Sequence, residues 1–181
     1  MMSFERFEKA ADFLDTAVAA TRTAGPRTAV DALLAEFDRE MAGTRRMLER
    51  VPEDQLAWKP HEKSSTLAKL ASHIAAIPIF PLLLINMTPG KKPSEAASKS
   101  ELLERFDHNA AAGREALAGA GDERLARTIP VTPGVSKPLM YVLRSRVMNH
   151  LIHHRGQLGV YLRLLGVAVP GMYGPSADEK S

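Results

Sequence analysis

Apolar positions recur at intervals of three and four over most of this chain, which is the spacing of one helical face. The first such run predicts a helix over residues 3–20, with the apolar positions Phe4, Phe7, Ala11, Leu14 and Val18. Gly25 and Pro26 break the pattern. We therefore expect an N-terminal helical appendage over residues 1–27 and a main domain over residues 28–181. Three alternatives stay open for the appendage: packing on the domain, packing on a partner, or an upstream start of translation.

Four further helices are predicted in the main domain, each beginning at a serine or threonine that can cap it. Their limits are about 28–50, 64–77, 100–121 and 136–166. The predicted capping residues are Thr28, Ser64 or Ser65, Ser100 and Ser136. Residues 122–136 are expected to be an irregular connection with room for a short extended piece. Four apolar-faced helices without a series of strands predict an all-α four-helix bundle.

The last of these helices carries three of the six histidines, His150, His153 and His154. On a helical wheel of about 100° per residue centred on Val147, the apolar residues cluster within about 40° of the centre. His154 lies near −20°, His150 near −60° and His153 near −120° on the same wheel. The pattern therefore turns His150 and His154 toward the interior and leaves His153 at the flank.

Two imidazoles four residues apart on one helical face can share a metal ion, and a third ligand normally comes from another element. His73 is the best candidate, because it lies about 60° from the centre of the apolar face of the second predicted helix. His61 is predicted in a loop and His108 among polar neighbours. Three histidines would leave one coordination position open for water or substrate. The alternative, that these are hydrogen-bonded core histidines, stays open.

Composition limits the possible metal ligands and partners. The 181 residues contain no cysteine, so any metal must be held by histidine, carboxylates or water. Lysine and arginine total 24 against 21 acidic residues, without the concentrated basic stripe of a nucleic-acid binder. The N-terminus lacks the pattern of a signal peptide, and the longest apolar run, residues 74–85, is short for a membrane span and contains prolines. We expect a cytoplasmic protein with neither nucleic-acid nor membrane partners.

The string HLIHHRGQLGVYLRLLG, followed by VPGMYGPSADE, resembles the C-terminal signature of DinB-like (DinB/YfiT) proteins. The upstream string LLAEFDREMAGTRRMLERVPEDQLAWKPHEKSSTLAKLASHIA is similar to the first two helices of that family. The resemblance covers about residues 28–178. It implies an up-down-down-up four-helix bundle that holds a divalent metal through three histidines. Matched by position, these are His73, His150 and His154.

Family members of known activity look like metal-dependent hydrolases, or S-transferases that use low-molecular-weight thiols such as bacillithiol or mycothiol. The resemblance thus implies a small electrophilic substrate, a role in stress or detoxification, a thiol cosubstrate and a homodimer. Zinc or nickel is the first expectation for the metal, and iron or manganese the second. The alternative is a non-catalytic, metal-stabilised bundle that acts as a structural or stress-response interaction protein.

Four residues are candidates for orienting the substrate: Arg155, Gln157, Trp58 and Tyr173. Each also has a structural interpretation. Arg155 and Gln157 lie away from the centre of the apolar face and can hydrogen-bond a neighbouring helix or loop. Trp58 can cap one end of the bundle, and Tyr173 can dock the C-terminal tail. The catalytic assignment is therefore left open among them.

Overall fold

The computed structural model describes residues 28–179, and the helix predicted over residues 3–20 lies outside this range. Most of the described chain is helical. The helices are α1 (Ala29–Glu49), α2 (Leu67–Ala76), α3 (Phe80–Ile85), α4 (Lys99–Ala126), α5 (Leu139–Leu143) and α6 (Asn149–Leu164). Short 3₁₀ turns occupy Glu53–Gln55 and Ile77–Ile79, and a π-helical turn over Arg144–Met148 joins α5 to α6. Strands β1 (Thr128–Thr132) and β2 (Val135–Pro138) form an antiparallel hairpin.

Hydroxyl side chains cap α1, α2 and α4. Thr28 caps α1 as predicted, and its Oγ1 accepts a hydrogen bond from the N–H of Asp31 at 3.0 Å. The caps of α2 and α4 lie within two residues of the predicted serines, at Thr66 and Ser98. Thr66 and Ser98 have extended backbone, and their hydroxyl oxygens accept from the N–H groups of Lys69 and Glu101 in the first turns.

The third predicted helix is longer than expected, because α4 continues through a kink at Gly121 to Ala126. Gly121 has φ 68°, a left-handed conformation that is available to a residue without a Cβ. The extra turn positions Asp122, whose carboxylate accepts hydrogen bonds from the N–H groups of Ala29 and Val30 at 3.1 and 2.9 Å. A side chain near the end of α4 therefore caps the N-terminus of α1.

The segment expected to be an irregular connection with room for a short extended piece contains the β hairpin. Pro133 and Gly134 occupy its two-residue loop, and Gly134 has φ 76°. The predicted helix start at Ser136 is wrong, since this residue lies in β2 and pairs with Pro130. The last helical stretch begins only at Leu139. The hairpin is a small departure from a purely α-helical chain.

Pairs of helices pack around one apolar core. Helix α1 contacts α4 and α6, and α2 contacts the same two helices. Gly113 allows the close approach of α4 to the turn before α3, because a Cβ at this position would lie 2.0 Å from the carbonyl oxygen of Pro78. The largest fully buried side chains include Leu33, Phe37, Leu67, Ile74, Leu102, Phe106, Leu117 and Leu143.

One stretch of the described chain, Leu67–Ile85, is long and apolar enough to cross a membrane by length and composition. It comprises α2, α3 and the turn between them. Its most apolar window is 61% buried inside the fold. The apolar residues of this stretch therefore contribute mainly to the core, as in the core helix of a globular domain.

Candidate metal centre

The three histidines expected to hold a metal converge where α2 packs against α6. One ring nitrogen from each of His73, His150 and His154 lies within 4.8 Å of the others. The Nε2 atoms of His73 and His150 are 3.0 Å apart. His150 and His154 share a face of α6 because they are one helical turn apart, and α2 supplies His73 from the opposite side. All three side chains are half-buried.

The arrangement fits a divalent cation. Nitrogen ligands about 2.0–2.1 Å from one zinc ion are about 3.3 Å apart at a tetrahedral angle. The 3.0 Å separation between His73 and His150 is within a few tenths of an ångström of this value. The three ring planes are mutually inclined by 86–87°, so the rings do not stack on one another. Three neutral imidazoles are a donor set that zinc, nickel and iron accept.

Gln157 fixes the orientation of one of these rings. Its Oε1 lies 2.7 Å from Nδ1 of His154, and the pair is separated by three residues on α6. A carbonyl oxygen can only accept, so this hydrogen bond requires the proton on Nδ1 of His154. The Nε2 atom of His154 is then unprotonated and available to a metal, an arrangement typical of histidine ligands.

The electrostatics of the cluster favour uncharged rings. Burial lowers the pKa of His73 to about 4, and the neighbouring His154 and His150 contribute to this effect. Burial also lowers the pKa of His150, assisted by the nearby His154, His153 and Arg146. Because a histidine ligates a metal only in its neutral form, this environment prepares these two side chains for coordination near neutral pH.

The other histidines lie outside the cluster. His153 is exposed, and its ring centre is 4.9 Å from that of His154. His61 is exposed in the loop before α2, where its Nδ1 accepts a hydrogen bond from the N–H of Lys63. His108 is exposed on α4. The helical wheel and the position of His73 therefore separated the converging histidines from the others.

The structure places two of the four candidate substrate-orienting residues, the buried Arg155 and the exposed Tyr173, in a hydrogen-bond network that does not include the three histidines. The Arg155 guanidinium donates to the carboxylate of Glu40 at 2.7 Å and to Oγ1 of Thr44 at 3.1 Å. It also donates to the hydroxyl of Tyr173, which in turn donates to Glu40 at 2.8 Å. Arg155 and Glu40 are each 3% exposed. These contacts support the structural interpretation, in which Tyr173 docks the C-terminal tail.

Trp58 and Gln157, the other two candidates, have different contacts. The Trp58 ring packs edge-to-face on Tyr161 with 5.6 Å between the ring centres, and its carbonyl oxygen accepts from the N–H of Leu67. Trp58 thus ties the preceding loop to the start of α2. Gln157 contacts His154 directly and, with Tyr161, lines a cavity beside the centre.

Two solvent-open cavities flank the histidines. One, of about 530 Å³, reaches His150 and is lined by α3, the loop after it and the π turn. The other, of about 500 Å³, reaches His73 and His154, and its charged lining residues are Lys69, Lys92 and Glu95. Sequence reasoning missed Arg146 in the first cavity. Its position four residues before His150 was the available signal, since both fall on one helical face.

Comparisons with known proteins agree with this architecture. The chain is 26% identical over 153 residues to the uncharacterized protein YrdA of Bacillus subtilis (strain 168), covering 83% of this chain and 91% of the relative. It is 27% identical over 129 residues to the uncharacterized protein YjoA of the same organism, covering 68% and 82%.

Solved structures share the fold. A DinB-like protein from Bacillus cereus ATCC 10987 superposes with a TM-score of 0.68 at 23% identity, covering 82% of this chain and 99% of that one. The crystal structure of YjoA gives a TM-score of 0.65 at 22% identity, covering 78% and 96%. The sequence model of the DinB family matches residues 26–181. The chain therefore belongs to the DinB family.

Proposed function

We propose that this protein is a divalent-metal-dependent enzyme, a hydrolase or a low-molecular-weight-thiol S-transferase, that acts on a small electrophile in stress or detoxification. The observation that carries the proposal is the convergence of His73, His150 and His154 between two cavities that are open to solvent. Structural metal sites are closed to solvent, whereas a catalytic site must admit the reacting molecule.

The chain's own residues would prepare the site for this chemistry. Gln157 holds the tautomer of His154 that exposes Nε2, and burial keeps His73 neutral. When bound, a divalent metal acts as a Lewis acid and lowers the pKa of a water molecule or thiol in its open position. In the cavity beside His73 and His154, Lys69 and Lys92 outnumber the one lining carboxylate, Glu95, and would favour an anionic cosubstrate. Zinc or nickel is the first choice of metal, with iron or manganese as alternatives.

The remaining expectations complete the proposal. Residues 28–181 would form the up-down-down-up four-helix bundle of the family, which the pairing of α1 and α2 with α4 and α6 supports. Residues 1–27 would add a further helix outside this domain. We propose a cytoplasmic homodimer that takes a small-molecule substrate and has neither a nucleic-acid nor a membrane partner.

Elemental analysis of protein purified without a His tag, followed by a screen of thiols against electrophiles, tests the proposal. We expect about one equivalent of divalent metal per chain and thiol-dependent or hydrolytic turnover. His150→Ala should lose both while the bundle stays folded by circular dichroism. His153→Ala, an exposed neighbour on the same helix, is the matched control and should keep both. Full metal content in the His150→Ala protein would overturn the ligand assignment.

The same measurements separate the proposal from a non-catalytic, metal-stabilised bundle. For that alternative, chelation would lower the melting temperature strongly, and no combination of thiol and electrophile would turn over. An enzyme with an open site should instead lose turnover on chelation in parallel with the loss of metal. Readdition of the metal should restore the turnover.

A further inference from the structure

The cavity on the His150 side has two chemically different walls. Phe80, Leu83 and Leu84 of α3 form an apolar wall. The polar wall belongs to the π turn and α6 and includes Arg146, whose charge lies near the ring of His150. At about 530 Å³ the cavity is within the usual range for small-molecule sites. A ligand that fills it would contact an apolar surface and a cation at the same time.

The π turn adds Ser145 to the polar wall. The N–H of Asn149 donates to the carbonyl oxygen of Arg144, a hydrogen bond across five residues. In a regular α-helix, a residue five positions before His150 would point about 140° away from it. The wider turn brings Ser145 into the same cavity as His150. Such turns are rare and occur frequently at functional sites.

Arg146 supplies a positive charge that no acidic side chain neutralises within residues 28–179. Its neighbour Arg144 pairs with Glu36 at 2.8 Å, whereas Arg146 forms no salt bridge with any described carboxylate. No aspartate or glutamate lines this cavity. An organic anion would therefore meet attraction from Arg146 without competing repulsion inside the cavity.

We propose that this cavity selects an amphipathic organic carboxylate, with its apolar body against Phe80, Leu83 and Leu84 and its carboxylate on Arg146. Since His150 lines the same cavity, the bound molecule lies beside the three histidines. Binding of the carboxylate in this cavity does not depend on the proposed function. Only the further step, that the bound carboxylate is the substrate, rests on it. The substrate class is then a small carboxylate with an aromatic or aliphatic body.

Isothermal titration calorimetry with 4-phenylbutyrate and its neutral analogue 4-phenylbutanamide tests the inference, in metal-free and in zinc-loaded protein. We expect the carboxylate to bind roughly fivefold to tenfold more tightly than the amide, the effect of one charge-assisted pair at a partly exposed site. Arg146→Met should remove this difference and leave the amide affinity unchanged. Arg144→Met, in the same π turn but paired with Glu36, is the matched control and should keep the difference.

Three results would overturn the inference: equal affinity for the two probes, an Arg146→Met protein that still prefers the carboxylate, or binding confined to zinc-loaded protein and insensitive to Arg146→Met. The last would mean that the carboxylate is simply a metal ligand. The metal-free arm keeps the two proposals apart. A chain that binds no metal but shows the Arg146-dependent preference would refute the proposed function and support the cavity's selectivity.

Discussion

Replacement of Gln157 by leucine tests whether the hydrogen bond to His154 prepares a metal ligand. The exposed side chain can be changed without disturbing the core, so the fold should persist. The substitution removes the 2.7 Å contact to Nδ1 that selects the tautomer of His154. Loss of such an outer partner typically weakens metal affinity about 10- to 100-fold, or about 1.4–2.7 kcal/mol.

The magnitude translates into a measurable shift of melting temperature. At a free metal concentration of about 100 times Kd, the metal stabilises the native protein by about 2.7 kcal/mol. With affinity about 10- to 100-fold weaker, the same concentration stabilises it by only about 1.4 to 0.4 kcal/mol. For a domain of this size, about 1 kcal/mol corresponds to about 2–4 °C. The metal-induced rise should therefore fall from about 5–11 °C to about 1–6 °C.

Differential scanning fluorimetry with and without metal, with calorimetric metal titration, measures this effect. The metal-free Gln157→Leu protein should melt within about 2 °C of the metal-free wild type. Gln157→Glu, which retains an acceptor for the Nδ1 proton, is the matched control and should keep most of the affinity. Wild-type metal affinity in Gln157→Leu would refute the reasoning, because His154 would then not depend on this hydrogen bond for its ligand tautomer.

Three further predictions concern stability and follow from the same structure. Arg155→Met should destabilise the protein by about 3–5 kcal/mol in urea unfolding, because it removes the buried cation that hydrogen-bonds the Glu40 carboxylate and leaves only the exposed Arg39, 3.7 Å away. Addition of Glu40→Gln should recover part of the loss, and a single-variant cost below about 1 kcal/mol would contradict this. Gly113→Ala should lower the free energy of unfolding by at least about 1–3 kcal/mol, since its Cβ would overlap a backbone oxygen. Gly119→Ala, with open space around it, should be neutral or stabilising, and equal effects of the two substitutions would refute the packing argument. The pKa of His73 falls from 6.5 to about 4 on folding, so the unfolded chain binds more protons between these pH values. Metal-free protein should therefore lose stability as the pH falls from 6.5 to about 4. The stability of His73→Gln should depend less on pH, and a pH profile equal to that of the wild type would contradict this.

Helical periodicity made much of this fold predictable. The apolar residues Leu143, Val147, Leu151 and Leu158 of the last helical stretch are buried as the wheel requires. The wheel failed at Arg155, which lies off the apolar centre and yet is 3% exposed. Its burial is made possible by partners such as Glu40, 115 residues away. A wheel contains no information about such partners, because they come from other helices.

The C-terminal half of the chain shows a second limit. A wheel assumes a constant rotation per residue, and the π turn over Arg144–Met148 violates that assumption. The hairpin was within reach of sequence reasoning, since the Pro133–Gly134 dipeptide is a turn signal. The continuation of α4 through Gly121 could not be predicted from the sequence, because a glycine is equally compatible with the end of a helix and with a kink.

The sequence by itself determined which residues share a helical face. That is why His150 and His154 could be selected over His153: positions four apart on a helix meet whatever the surroundings. Tertiary structure decided what those faces meet. It brought His73 to within 3.0 Å of His150, buried Arg155 with Glu40, and placed the Arg146 cation in one cavity with the apolar side chains of α3. Local hydrogen bonding sets the helical period within a few residues, whereas ligand convergence and cavity shape arise only when helices distant in sequence pack together.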